Sequence, residues 1–295
     1  MRGGSDRRNG LAATAAAFGF WGLTPIYWKA VEAVSAQELL ALRVLWAVPL
    51  AAALLTLLRA WGDLRSVLTA RRTMSALLLT AALIGANWFV FLVAIENGQL
   101  LQSSLGYFIN PLVSILLGFL FLGERLRTVQ WAAVALAAAG VANQVLAVGE
   151  LPWIALVLAG TFGLYGLIRK TIAVAALPGF FVEVSLIAPL AFVYMAAVIS
   201  RTTSTLVVAD GGTQWLIPVA GAITVTPLVL FAYGARRILL ATVGLLQFLT
   251  PTAHFLLATQ LYGEPFTAAH LLTFVLIWSA LALYLGDLFR RERSA

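Results

Sequence analysis

Cysteine is absent from this chain of 295 residues and histidine occurs twice, which excludes disulfides, thiol catalysis and thiolate metal sites and leaves too few ligands for zinc. Charge is scarce as well: Asp, Glu, Lys and Arg make up 11% of the residues, against roughly 25% in a soluble domain. The phosphate-loop pattern Gly-x-x-x-x-Gly-Lys-[Ser/Thr] and the metalloprotease pattern His-Glu-x-x-His do not occur, and the segments between apolar runs are too short to hold an ATPase domain. An intramembrane protease or lipid-modifying transferase needs a concentrated catalytic set at membrane depth, such as Ser with Lys or paired aspartates, and none is found. Rings of like charge and carbonyl-rich filter loops, the marks of an ion channel, are missing too. The sequence therefore predicts a protein that is not an enzyme and uses neither cofactor nor metal.

What the chain has in excess is apolar surface. It is 62% hydrophobic with a mean hydropathy of +0.96, where a soluble domain carries roughly 45–50% apolar residues. Apolar runs long enough to cross a hydrocarbon core of roughly 30 Å fall at 11–31, 39–58, 74–95, 101–121, 129–147, 152–170, 179–199, 214–234, 240–261 and 267–288. They are continuous rather than alternating, so they predict helices and not barrel strands. The first follows Arg7-Arg8 as a signal peptide does, but the recurrence of similar runs makes it the first span. With the amino terminus in the cytoplasm, 16 of the 19 basic residues fall on that side, leaving Lys29, Arg43 and Arg201 for the outer side or the membrane interior. That asymmetry accounts for the net charge of +7 without nucleic acid, and it predicts an even number of spans with both termini cytoplasmic.

Sliding the chain along itself by 140–141 residues reveals a duplication. Gly19, Trp21, Gly22 and Lys29 meet Gly160, Phe162, Gly163 and Lys170; Pro49 meets Pro189; Phe91 meets Phe231. Pro111 followed by Gly123-Glu124 meets Pro251 followed by Gly263-Glu264 at the same spacing. Each unit, 11–147 and 151–288, holds five spans, an odd number, so the second enters the membrane from the opposite side. The predicted fold is an all-α polytopic membrane protein with ten transmembrane helices in two inverted five-helix repeats around a central cavity. Inverted repeats of this kind are typical of secondary transporters, whose sites lie near the midplane between the halves.

The stretch from Ser104 to Leu126, with its Gly-Tyr-Phe-Ile-Asn-Pro run and closing Gly-Glu pair, resembles the fourth helix and following loop of the drug/metabolite transporter superfamily. Within that superfamily it is most similar to the RarD-type branch of EamA-domain proteins, and the resemblance covers essentially the whole chain. It implies a basket in which the first, third, fourth, sixth, eighth and ninth helices line the cavity, while the fifth and tenth are peripheral and support a homodimer. It also implies export of amino acids, drugs or other small metabolites across a bacterial inner membrane, as in the related YddG exporters of aromatic amino acids.

Polar groups inside hydrocarbon cost free energy, roughly 2.5–3.5 kcal/mol for a central charge on insertion scales, and so face a cavity or a partner. Ser103, Tyr107, Asn110 and Ser114 follow one another at helical spacing and predict a polar stripe; Asn87 and Phe91, with Trp88 beside them, mark the third span. On the ninth span Gln247, Thr250 and His254 repeat the pattern, and Pro111 and Pro251 are candidate hinges. Trp21, Phe162, Tyr165 and Phe231 complete an aromatic pocket suited to an amphipathic solute with an apolar side chain. For each of these residues, helix-to-helix packing is the competing account. Lys29 and Arg43 are expected to snorkel to the outer interface and Lys170 to anchor the inner surface. Glu183 is expected to pair at the surface, and Glu124 and Glu264 to lock helix ends.

Overall fold

The computed structural model describes residues 2–96, 100–148, 153–261 and 268–292. Among them all regular structure is helical: α1 Arg2–Ala30, α2 Ala36–Leu57, α3 Trp61–Thr69, α4 Arg71–Glu96, α5 Leu100–Leu122, α6 Thr128–Val148, α7 Trp153–Thr171, α8 Ala176–Ser200, α9 Thr205–Val208, α10 Gly211–Leu216, α11 Val219–Ala235, α12 Leu240–Gln247, α13 Leu249–Leu256, a π-helical turn Leu257–Leu261, and α14 Ala268–Glu292. Eight helical stretches are long and apolar enough to cross a bilayer: Ala36–Leu57, Arg71–Ala94, Thr128–Leu146, Trp153–Thr171, Ala176–Ser200, Gly211–Ala235, Leu240–Leu261 and Leu271–Leu288. A shorter apolar stretch, Gly106–Leu122, lies in α5. Helix also fills the first predicted span, although α1 carries Arg7 and Arg8 near one end and Lys29 at the other and does not number among the eight.

Lipid explains the outer surface. Leu190, Phe192 and Val193 of α8 are 65–75% exposed, an arrangement water would penalise and hydrocarbon does not. Inside, the main helix packings are α5 on α7, α6 on α14, α1 on α11, α5 on α12 and α2 on α8. Each joins a helix from before residue 149 to one from after residue 152. Small residues permit these approaches: a Cβ on Gly244 of α12 would stand 2.6 Å from the Pro111 carbonyl oxygen of α5, so only glycine lets the two backbones meet there.

Three details depart from the sequence reading. The charged segment between Arg59 and Arg72, expected as a joint, contains α3, which turns buried Leu64 and Val67 inward and sets Trp61 against the Phe181 ring of α8 at 5.7 Å. The eighth predicted span opens with a separate short helix, α10, whose first turn is capped by Asp210 accepting the Thr213 N–H at 3.0 Å, before α11 continues it. The two prolines in register behave differently. Pro251 has no N–H to give the Gln247 carbonyl, and the helix divides at Phe248 into α12 and α13. Pro111 sits inside an unbroken α5.

Candidate functional site

The helices gather the predicted residues into two adjoining groups. In the first, Phe18 and Trp21 of α1, Phe162 and Tyr165 of α7 and Phe231 of α11 form a continuous ring cluster with centroid separations of 5.1–6.1 Å. Tyr165 and Phe231 are fully buried and fill space between helices in this conformation, while Trp21 and Phe162 are half-buried at the margin.

The second group surrounds Tyr107 of α5. Its ring stands edge-on to the His254 imidazole of α13 at 5.8 Å, and His254 Nε2 lies 3.3 Å from the Trp21 carbonyl oxygen, which ties the two groups together. One turn along α5, Asn110 Oδ1 is buried without a hydrogen-bond partner, and so are both amide atoms of Gln247 on α12. An unsatisfied buried polar atom costs roughly 1–3 kcal/mol, so these three, one on α5 and two on the α12 packed against it, gain when water or solute reaches them.

Other predicted residues are spent on packing. Asn87 Nδ2 donates to the Leu158 carbonyl and to Thr161 Oγ1, both at 2.9 Å, and Thr250 Oγ1 donates to the Phe18 carbonyl at 2.8 Å. Phe91 packs against Ala94, Ile154 and Leu158, and Ser114 is buried where α5 meets α12. The Ser103 side chain and Glu264 lie outside the described residues.

Two charges depart from their expected places. Arg43 does not reach for the outer interface but turns inward, its guanidinium carbon 4.1 Å over the Trp88 ring centroid and within electrostatic reach of the Tyr107 phenol. An aromatic floor holds a cation in place without ion-pairing it. Glu183, expected at the surface, is buried: it accepts the Thr80 hydroxyl at 2.6 Å and the Tyr165 hydroxyl at 3.2 Å, and Arg169 Nε stands 3.7 Å away with its whole side chain buried. The polar cluster is sealed by α4, α7 and α8 together, which no single-helix pattern reveals.

At each end a carboxylate of the first half fastens the second. Gly123 adopts a left-handed φ of +61°, so the chain reverses after α5 and delivers Glu124 to the start of α12. There the Glu124 oxygens accept the Leu240 N–H at 2.7 Å and the Ala241 N–H at 3.0 Å, capping a helix that has no side-chain cap of its own. Lys170 stands 3.7 Å from Glu124 and donates to the carbonyls of Ala235 and Ile238 where α11 ends. At the opposite end Glu38 of α2 accepts the Ser204 hydroxyl, the Thr205 N–H and the Thr205 hydroxyl, each at 2.7 Å, and the Leu206 N–H at 3.1 Å. Near Glu124 a cavity of about 480 Å³ opens, lined by six cationic side chains, Arg7, Arg125, Arg127, Lys170, Arg236 and Arg237, against the single carboxylate Asp287, which pairs with Arg127 at 3.1 Å. Among the described residues, no His, Cys, Asp and Glu cluster is suited to a metal ion.

Helices of membrane length, a lipid-facing apolar exterior and polar atoms left unsatisfied in the interior define a multi-pass membrane protein of the transporter class. The profile of the EamA-like transporter family matches residues 8–144. Protein RarD of Salmonella typhi is 42% identical, over 97% of this chain and 97% of its own length, and an uncharacterized transporter of Vibrio cholerae is 43% identical, over 96% and 93%. A chloramphenicol-sensitive protein RarD of Pseudomonas aeruginosa is 32% identical, over 88% and 87%. A solved crystal structure shares the fold with a TM-score of 0.73 at 19% identity, covering 93% of this chain and 96% of the other. The chain belongs to the EamA-like transporter family of the drug/metabolite transporter superfamily.

Proposed function

We propose that the protein is a secondary carrier that exports amino acids or similar small metabolites from the cytoplasm across a bacterial inner membrane. Its ten helices act as two inverted five-helix halves, 11–147 and 151–288, which rock about a solute held at their seam. The observation that carries this reading is the set of unpartnered polar atoms around Tyr107, drawn from α5 on one side and α12 on the other. A site shared in this way is remade whenever the halves move. The two carboxylate fasteners add support: Glu124 and Glu38 each bridge the halves at one end, so releasing one while the other holds opens a single side. The cationic cavity beside Glu124 suits the cytoplasmic face under the positive-inside rule.

Purified protein in liposomes loaded with an amino-acid panel tests the reading. Saturable efflux of at least one amino acid is expected. Folded protein that moves none of them removes the substrate assignment. Chloramphenicol belongs in the same panel, because the name of the chloramphenicol-sensitive Pseudomonas relative and the apolar ring cluster favour a second reading, an exporter of neutral drug-like solutes on the same fold.

A further inference from the structure

Among the described residues two arginines, Arg43 and Arg169, have buried guanidinium nitrogens without a hydrogen-bond partner, and they are treated differently. Arg169 is matched by Glu183. The other three ion pairs among the described residues engage Arg127, Lys170 and Arg237, and none engages Arg43. Yet Arg43 lies seven residues into α2, roughly 10 Å along a helix of about 33 Å. Its Nε is buried and bonded to nothing. The Trp88 ring beneath it, 4.1 Å from the guanidinium carbon, brings no negative charge, and the Tyr107 phenol lies within electrostatic reach. An unmatched guanidinium at this depth needs a counter-ion, and an arginine edge takes a carboxylate through two parallel hydrogen bonds. One turn along α5 from Tyr107, the Asn110 amide oxygen, and on the α12 packed against α5 the Gln247 amide oxygen, are buried, unused acceptors for an ammonium group.

We infer that Arg43 binds the carboxylate of the transported solute, so that the substrate class is an amphipathic carboxylate, zwitterionic or simply acidic, whose apolar part lies against the ring cluster. The inference rests on the carrier reading for its transport role but not for binding. Phenylalanine, leucine, 3-phenylpropionate and the amides of the two amino acids are the probes, since each amide keeps the side chain and loses the anion. In wild-type liposomes the free acids are expected to compete for phenylalanine efflux and the amides to fail. Arg43→Gln is expected to raise the half-saturating concentration about 10- to 100-fold, with Arg43→Lys between it and wild type.

Binding is read separately as the shift in melting temperature of detergent-purified protein. Stabilisation by the acids and not by the amides supports the inference even without flux, which then counts against the carrier reading alone. Equal stabilisation by acids and amides, or by neither, overturns it, as does wild-type half-saturation in a folded Arg43→Gln protein. Should that variant fail to fold, the wild-type comparison of acid with amide still decides.

Discussion

Asn87 and Asn110 carry the same amide on neighbouring helices and put it to opposite use. Asn87 fastens α4 to α7 through two hydrogen bonds, whereas Asn110 leaves a buried oxygen without a partner. Asn87→Ala is therefore expected to cost about 1–3 kcal/mol, seen as a lower melting temperature. Asn110→Ala should leave the melting temperature unchanged or raise it while lowering flux several-fold, and Tyr107→Ala should do the same; wild-type flux in both would move the site elsewhere. Spacing alone put both asparagines on the list of site residues. It did not distinguish them, because which neighbour an amide meets depends on how helices rotate against each other. Arg43 and Glu183 were misjudged for a related reason: span ends read from hydropathy are uncertain by a turn, and a long side chain near a span end can point out to the interface or inward.

The helices themselves were legible. Among the described residues all ten apolar segments are helical, because continuous hydrophobicity over some twenty residues leaves the backbone no other way to satisfy its hydrogen bonds in lipid. What hydropathy missed were the short helices α3 and α9, the break between α10 and α11 inside the eighth segment, and the division of the ninth segment at Phe248. The Gly-Glu pair, conspicuous by its repetition, now has a mechanical account, since Gly123 turns the chain and Glu124 caps α12 from outside. Glu124→Ala is expected to lower stability by about 0.5–2 kcal/mol, as loss of an N-cap does, measurable by thermal denaturation. Pro251→Ala restores a donor for the Gln247 carbonyl; a continuous helix with slower flux and no loss of stability is the expected outcome, whereas Pro111→Ala, in a helix already continuous, should change transport less.

For the molecule as a whole, the proposed inverted arrangement predicts that tags at both chain ends are reachable only after the inner membrane is permeabilised. Labelling of either end in intact cells would remove the antiparallel halves. The buried Arg169–Glu183 pair has a further consequence, for biogenesis. The two residues belong to successive helices, α7 and α8, joined by the short connection 172–175. Threaded singly into the bilayer, α8 would carry the Glu183 charge bare, whereas Arg169, in the last turn of α7, stays within reach of the interface. Delivered together with α7 as a hairpin, Glu183 enters already paired with Arg169, which favours joint insertion of the two helices over insertion one at a time.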